Sequence, residues 1–228
     1  MTEPRAPRTV LNIGSGPARP EKLHAAFRGP DWREVRLDID PEVLPDILGT
    51  MTDMGASVAT GSVDAIWSSH NIEHLPAHEV PTAFAEFARV LTPGGFALLT
   101  CPDIEAVAAL VVEKGLDCVA YVSPAGPVTP LDMLFGHGAS IAAGHGFMAH
   151  RTGFTVQRLA RIVLEAGFGE VRLARGRFDL WALCLMPGCA LESVAPFFAD
   201  TAQRDLVAPS AMPEADAAAP LPALARSA

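Results

Sequence analysis

The sequence predicts an α/β domain, a doubly wound, mostly parallel seven-stranded sheet with an antiparallel last strand. Three observations predict it. The run Thr9-Val-Leu-Asn-Ile breaks into Gly14-Ser-Gly16, as a buried parallel strand does when the chain turns sharply at its carboxyl end. Strand-like and helix-like segments then alternate as far as the helix before the sixth strand. Finally, Glu170-Val-Arg-Leu-Ala-Arg and the strand from Phe178 to Met186 are joined through Gly176-Arg177, a connection too short for a parallel crossover, so they pair as an antiparallel hairpin.

The first strand ends at the glycines, which can take positive φ and let a ligand lie against the backbone. Between Pro20 and Gly29-Pro30 only a short helix from Glu21 to Phe27 fits. Val35, Leu37 and Ile39 alternate in a second strand that stops at Pro41 and ends in the acids Asp38 and Asp40. Pro45 to Thr50 reads as a weak third strand, Met51 to Met54 as a loop, and Ser62 to His70 as the fourth strand. Val80, Phe84, Phe87, Ala88 and Leu91 recur at helical spacing. Pro93 and Gly94 fit the central positions of a type II turn before a fifth strand from Phe96 to Cys101. A helix is expected from Ile104 to Glu113, and another that Thr155 caps and Gly167 ends.

Residues 114–153 are rich in Gly and Pro and lack a period, as functional inserts do. From Ala190 the chain is rich in Ala and Pro and is expected to be a mostly disordered tail, with one short apolar helix near Val194 to Phe198 able to dock. The division is therefore a domain at 1–189, with the insert inside it, and a tail at 190–228. A net charge of −9 with no Lys/Arg run argues against nucleic acid or an anionic membrane as partner. The four cysteines are scattered, without a Cys-x-x-Cys pair, and read as reduced thiols of a cytoplasmic protein. No apolar run approaches the roughly 18 residues of a spanning helix.

Taken together, the motifs resemble the class I S-adenosylmethionine-dependent methyltransferases, of the type 11 group. Val10-Leu-Asn-Ile-Gly-Ser-Gly is similar to their glycine motif, with Asn12 where many members have an acid, and Leu37-Asp-Ile-Asp-Pro to the acidic end of their second strand. Asp64-Ala-Ile-Trp-Ser-Ser-His-Asn-Ile-Glu-His-Leu and Arg89-Val-Leu-Thr-Pro-Gly-Gly-Phe resemble the signatures around their fourth and fifth strands. An NAD-binding sheet would instead end in parallel strands.

The resemblance implies a Rossmann-like methyltransferase fold with S-adenosylmethionine as cofactor. It implies cofactor contacts at Asn12, Gly14, Ser15, Gly16, Asp38, Ile39, Asp53, Met54 and His70. Asp38 would receive the ribose hydroxyls; Asp53 would accept from the adenine amino group and Met54 would cover the ring, although Thr50 stands where an acid is common. His70 and His150 are the candidate catalytic residues, His150 as a base at the rigid end of an insert that works as an acceptor-side lid. Asp132, His137, His145 and His150 share that insert at spacings that match no zinc pattern, so no metal is expected. The implied activity is methyl transfer to an oxygen or nitrogen of a small-molecule or glycan-like acceptor. The alternative is a cofactor-binding or regulatory protein of the same fold without transfer chemistry.

Overall fold

The computed structural model describes residues 6–124 and 126–208. Its strands are β1 (Arg8–Ile13), β2 (Trp32–Asp38), β3 (Ile47–Leu48), β4 (Val63–Ser69), β5 (Leu91–Pro102), β6 (Tyr121–Ser123), β7 (Gly126–Val128), β8 (Glu170–Arg175) and β9 (Asp179–Leu185). The helices are α1 (Val80–Val90), α2 (Ile104–Lys114), α3 (Pro130–Phe135), α4 (Gly138–Ala142), α5 (Val156–Glu165) and α6 (Leu191–Phe198). Seven strands form one sheet in the order β3-β2-β1-β4-β5-β9-β8. Strands β3 to β5 pair in parallel along this order, and β9 runs antiparallel to both β5 and β8. The sheet is thus the doubly wound one expected, with β9 as its reversed strand.

Side chains alternate across this sheet and fill two cores. Leu11, Ile66, Leu99 and Ala182 point to one face, where they meet Phe84 and Phe87 of α1 and Leu159 and Val163 of α5. Thr155 caps α5 by accepting from Arg158 N at 3.2 Å, and Gly167 follows its end with φ +100°. Both were legible as helix signals. The opposite face receives Val10, Trp67, Leu98 and Leu183 and is covered by Phe27 and Trp32 from the start of the chain and by Val194, Phe198 and Leu206 from its end.

Several expectations are corrected here. The helix from Glu21 to Phe27 is instead two 3-10 turns, Pro20–Lys22 and Ala25–Phe27, too short to cover a face alone. Helix α6 and a 3-10 turn at Arg204–Val207 complete that cover, so the disordered tail expected from Ala190 is ordered through residue 208; residues 209–228 lie outside the described residues. Buried Arg172 on β8 fastens the segment by donating to the carbonyls of Leu206 and Ala208. Gly94 lacks the positive φ that a type II turn needs, and residues 91–102 run on as one strand with an irregular register opposite Val63 and Ala65.

The insert is not a structureless loop. It holds the hairpin β6–β7 and the helices α3 and α4, and its Ala120, Val128 and Met133 pack on Val107 of α2. Thr129 and Asp132 form a capping box on α3. Two of the insert's glycines serve packing. A Cβ on Gly136 would stand 2.1 Å from the carbonyl oxygen of Met148, and one on Gly153 would stand 2.5 Å from Ile104 Cγ1.

Candidate active site

The glycine turn is held against β2 by Gly14 N and Ser15 N, which donate to Leu37 O at 2.9 and 3.3 Å. Gly14 and Gly16 have φ +66° and +59°, and a Cβ on Gly14 would collide with the Asn71 side chain at 1.9 Å. Only glycine fits there. Asp38 is 9% exposed, and its carboxylate accepts from Gly16 N at 2.8 Å and Asp40 N at 3.0 Å. It therefore shapes the turn. Asp40 caps the next 3-10 turn through Glu42 N, and Ile39 between them is 54% exposed. Asn12 is buried and donates to Glu34 Oε1 at 2.7 Å.

Asp53 and Met54 part company. Asp53 is exposed, but Met54 is 1% exposed within the α1 and α5 core, so it has no surface with which to cover an adenine ring. Its backbone N–H donates to Glu86 Oε2 at 2.7 Å, which draws the residue inward.

At the end of β4, His70 takes φ +49°, a costly conformation for a residue with a Cβ, and is held by donation of its N–H to Thr100 O. Its ring lies between two carboxylates, with Nδ1 3.4 Å from Glu73 Oε1 and Nε2 3.6 Å from Asp179 Oδ1. Burial alone would lower its pKa. The Glu73 carboxylate beside it and the Asp179 charge outweigh it and hold the imidazole above its ordinary value. Asp179 is itself raised, by burial first, against the pull of His70.

A cleft of about 580 Å³ opens between the glycine turn and His70. Asn12, Gly14, Ser15, Ser69, His70 and Thr100 line its sheet side, and Lys22, His24, Trp181 and residues 200–203 form the opposite wall. His24 accepts from Ala26 N at Nδ1. Its Nε2 therefore carries the proton and donates to Gln203 Oε1 at 2.7 Å. Burial pushes its pKa down. The indoles of Trp67 and Trp181 stack beside it with centroids 6.0 Å apart. No sequence signal marked His24, Gln203 or Trp181, because they meet only through the fold.

His150 does not line this cleft. Its Nδ1 stands 2.9 Å from Met133 O and its ring packs against His74 at 4.9 Å, so the expected placement of a base there is not what the fold provides. The four insert residues weighed as metal ligands also separate: Asp132 is spent on its capping box and Gly138 N, while His137 pairs with Ser140.

The profile of a family described as a methyltransferase domain matches residues 11–99, which run from the glycine turn through β4 and most of β5. These residues therefore form a methyltransferase domain. Solved structures share the fold of this methyltransferase. A methyltransferase from Archaeoglobus fulgidus, described as S-adenosylmethionine-dependent, is 11% identical over 78% of this chain and 86% of its own, with a TM-score of 0.52. A chain in the complex between the Haloferax volcanii Trm112 methyltransferase activator and the putative methyltransferase is 15% identical over 79% of this chain and 83% of its own, with a TM-score of 0.51. A possible histamine N-methyltransferase from Thermotoga maritima is 14% identical over 78% and 82%, with a TM-score of 0.50. No curated protein matches the chain.

The residues of this methyltransferase fit the cofactor at the glycine turn. Asn71 Nδ2 over Gly14, Ser68 Oγ and Thr100 Oγ1 are buried without a hydrogen-bond partner among the described residues, and Thr100 lines the cleft. Such orphaned groups beside a cleft are what a polar ligand satisfies. Among the described residues no helix is long and apolar enough to cross a membrane.

Proposed function

We propose that this methyltransferase transfers the sulfonium methyl of S-adenosylmethionine to an oxygen or nitrogen of a small-molecule or glycan-like acceptor in the cytoplasm. The observation that carries this reading is the meeting of the glycine turn, His70 and the Trp67–Trp181 pair on one cleft. Asp38 and exposed Ile39 suit the adenosine end, one by accepting from ribose hydroxyls and the other by covering the base. Lys22, whose ammonium stands 2.6 Å from where a Cβ on Gly16 would lie, suits the cofactor's carboxylate. The paired indoles offer a flat apolar wall to a ring-shaped acceptor.

Because the bound sulfonium supplies an already activated methyl group, the chain's own task is to align the acceptor and keep water out. His70, set between Glu73 and Asp179, is the group placed to take the acceptor's proton, and it replaces His150 in that role. The test is a transfer assay with labelled cofactor against a panel of sugars and small metabolites. His70→Asn is expected to reduce kcat by about 100-fold or more while the cofactor affinity stays within about twofold. Equal loss of both, or none of either, contradicts the assignment. A regulatory protein of this fold would bind the cofactor and label nothing.

A further inference from the structure

One carboxylate beside the cleft lacks a hydrogen-bond partner among the described residues. Glu73 is 1% exposed, and neither of its oxygens has a hydrogen-bond partner among the described residues; the His70 ring stands 3.4 Å away. An ionised carboxylate so buried is costly unless positive charge faces it. Three imidazoles stand beside it, those of His70, His74 and His150. One ligand atom each from Glu73, His74 and His150 lie within 4.8 Å of one another.

The hydrogen bonds of these rings bear on what they can bind. His150 Nδ1 stands 2.9 Å from Met133 O, which fixes it as the donor and leaves the Nε2 lone pair available. His74 has its two ring nitrogens each 3.2 Å from a carbonyl oxygen, of Ala149 and of His70. A neutral imidazole carries a single N–H, so one of those nitrogens points a lone pair at an oxygen. Turning toward a cation relieves that contact. The two sides of the cluster are already joined, because Arg151 N and Thr152 N donate to Glu73 O at 2.8 and 3.2 Å.

We propose that Glu73, His74 and His150 bind one divalent transition-metal cation of the zinc class. Two imidazoles and a carboxylate are a zinc donor set, and the half-buried rings of His74 and His150 leave the fourth position to solvent. Bonds of about 2.0–2.2 Å in a tetrahedral site bring ligand atoms to roughly 3.4 Å apart, so the cluster closes by about an ångström on binding. His70 becomes an outer-shell partner of Glu73. The bound ion fastens the carboxyl end of the insert to the sheet edge beside the cleft.

The competing occupant is a proton. An imidazolium at His74 would donate to both carbonyls and offset Glu73 with no metal. Full-length protein stripped with a chelator and titrated with zinc chloride against a chromophoric competitor separates the two, with elemental analysis giving the stoichiometry. One zinc per chain and a raised melting temperature are expected. Glu73→Gln and His150→Ala should each weaken zinc by more than about 100-fold, beyond the 10- to 100-fold that loss of an outer-shell partner costs. His137→Ala and His145→Ala, in the same insert, should keep it. Substoichiometric zinc in the wild type, or unchanged affinity in the first two variants, overturns the site in favour of the proton. If Glu73→Gln fails to fold, His150→Ala, whose ring is only partly buried, decides the matter by itself.

Discussion

The two faces of the sheet are built by different means. One lies under α1 and α5, two amphipathic helices whose apolar residues face the strands at regular spacing. The other lies under pieces from opposite ends of the chain, where Phe27 and Trp32 interlock with Phe96, Phe197 and Phe198 at ring distances of 5.1 to 6.3 Å. Both faces bury apolar side chains, but the irregular one also walls the cleft, through Lys22, His24 and residues 200–203. On the proposed function, stability is therefore shared between the faces, whereas the cleft draws its wall from the second.

The largest expected effect breaks the second face outright. Ending the chain after Cys189 removes Val194, Phe198 and Leu206 from the core, each worth about 1.5–3 kcal/mol. Their sum is comparable to the whole stability of an ordinary domain, about 5–15 kcal/mol. The truncated chain should show no cooperative thermal transition by circular dichroism. A sharp transition close to that of the intact chain would mean that the terminal segment adds nothing.

Single substitutions sharpen the contrast. Phe87→Ala under α1 and Phe198→Ala in α6 both empty a fully buried ring site, and each should cost about 3–5 kcal/mol in urea unfolding. Below both transitions the pair should diverge, with Phe198→Ala weakening cofactor binding through the His24–Gln203 wall and Phe87→Ala leaving it near the wild-type value. Matched binding losses would erase the proposed division of labour.

Smaller changes on the regular face should touch stability alone. Thr155→Ala removes the α5 cap and should cost about 1 kcal/mol with unaltered binding. Glu86, paired with Arg89 at 2.6 Å, has its carboxyl pKa lowered chiefly by the Arg89 hydrogen bond, against the effect of burial. A depressed folded-state pKa stabilises above the unfolded value of about 4.3, and that contribution is lost as pH falls through the folded value. The advantage of wild type over Glu86→Gln in urea midpoint should therefore be present at neutral pH and vanish in strong acid.

The regular face was legible because its signals are local. The period of α1, the Thr155 cap, Gly167 and the short β8–β9 turn each need only a few neighbouring residues, and so does the positive-φ turn at Gly14 and Gly16. The irregular face was not, because Trp32, Phe96 and Phe198 acquire a common purpose only when β2, β5 and α6 are brought together. Composition misled there only in part: the apolar helix near Val194 to Phe198 was legible and docks, but the Ala- and Pro-rich stretch after it read as a tail, and Leu206 fixes it. Met54 failed for a related reason, since an apolar residue in a loop reads alike whether it faces a ligand or the core. His150 was singled out for chemistry, but its partners Glu73 and His74 lie more than 70 positions away, and no spacing rule connects them.

Calorimetric titration of the intact chain with S-adenosylmethionine, and with its demethylated product, tests the central claim most directly. One site per chain with affinity in the micromolar range is expected. Asp38→Asn keeps an acceptor for Gly16 N but loses the charge, and it should weaken binding by about 1.5–3 kcal/mol, the scale of hydrogen bonds to a charged group. No heat with either ligand, in protein that melts cooperatively, would contradict the assignment of this cleft to the cofactor.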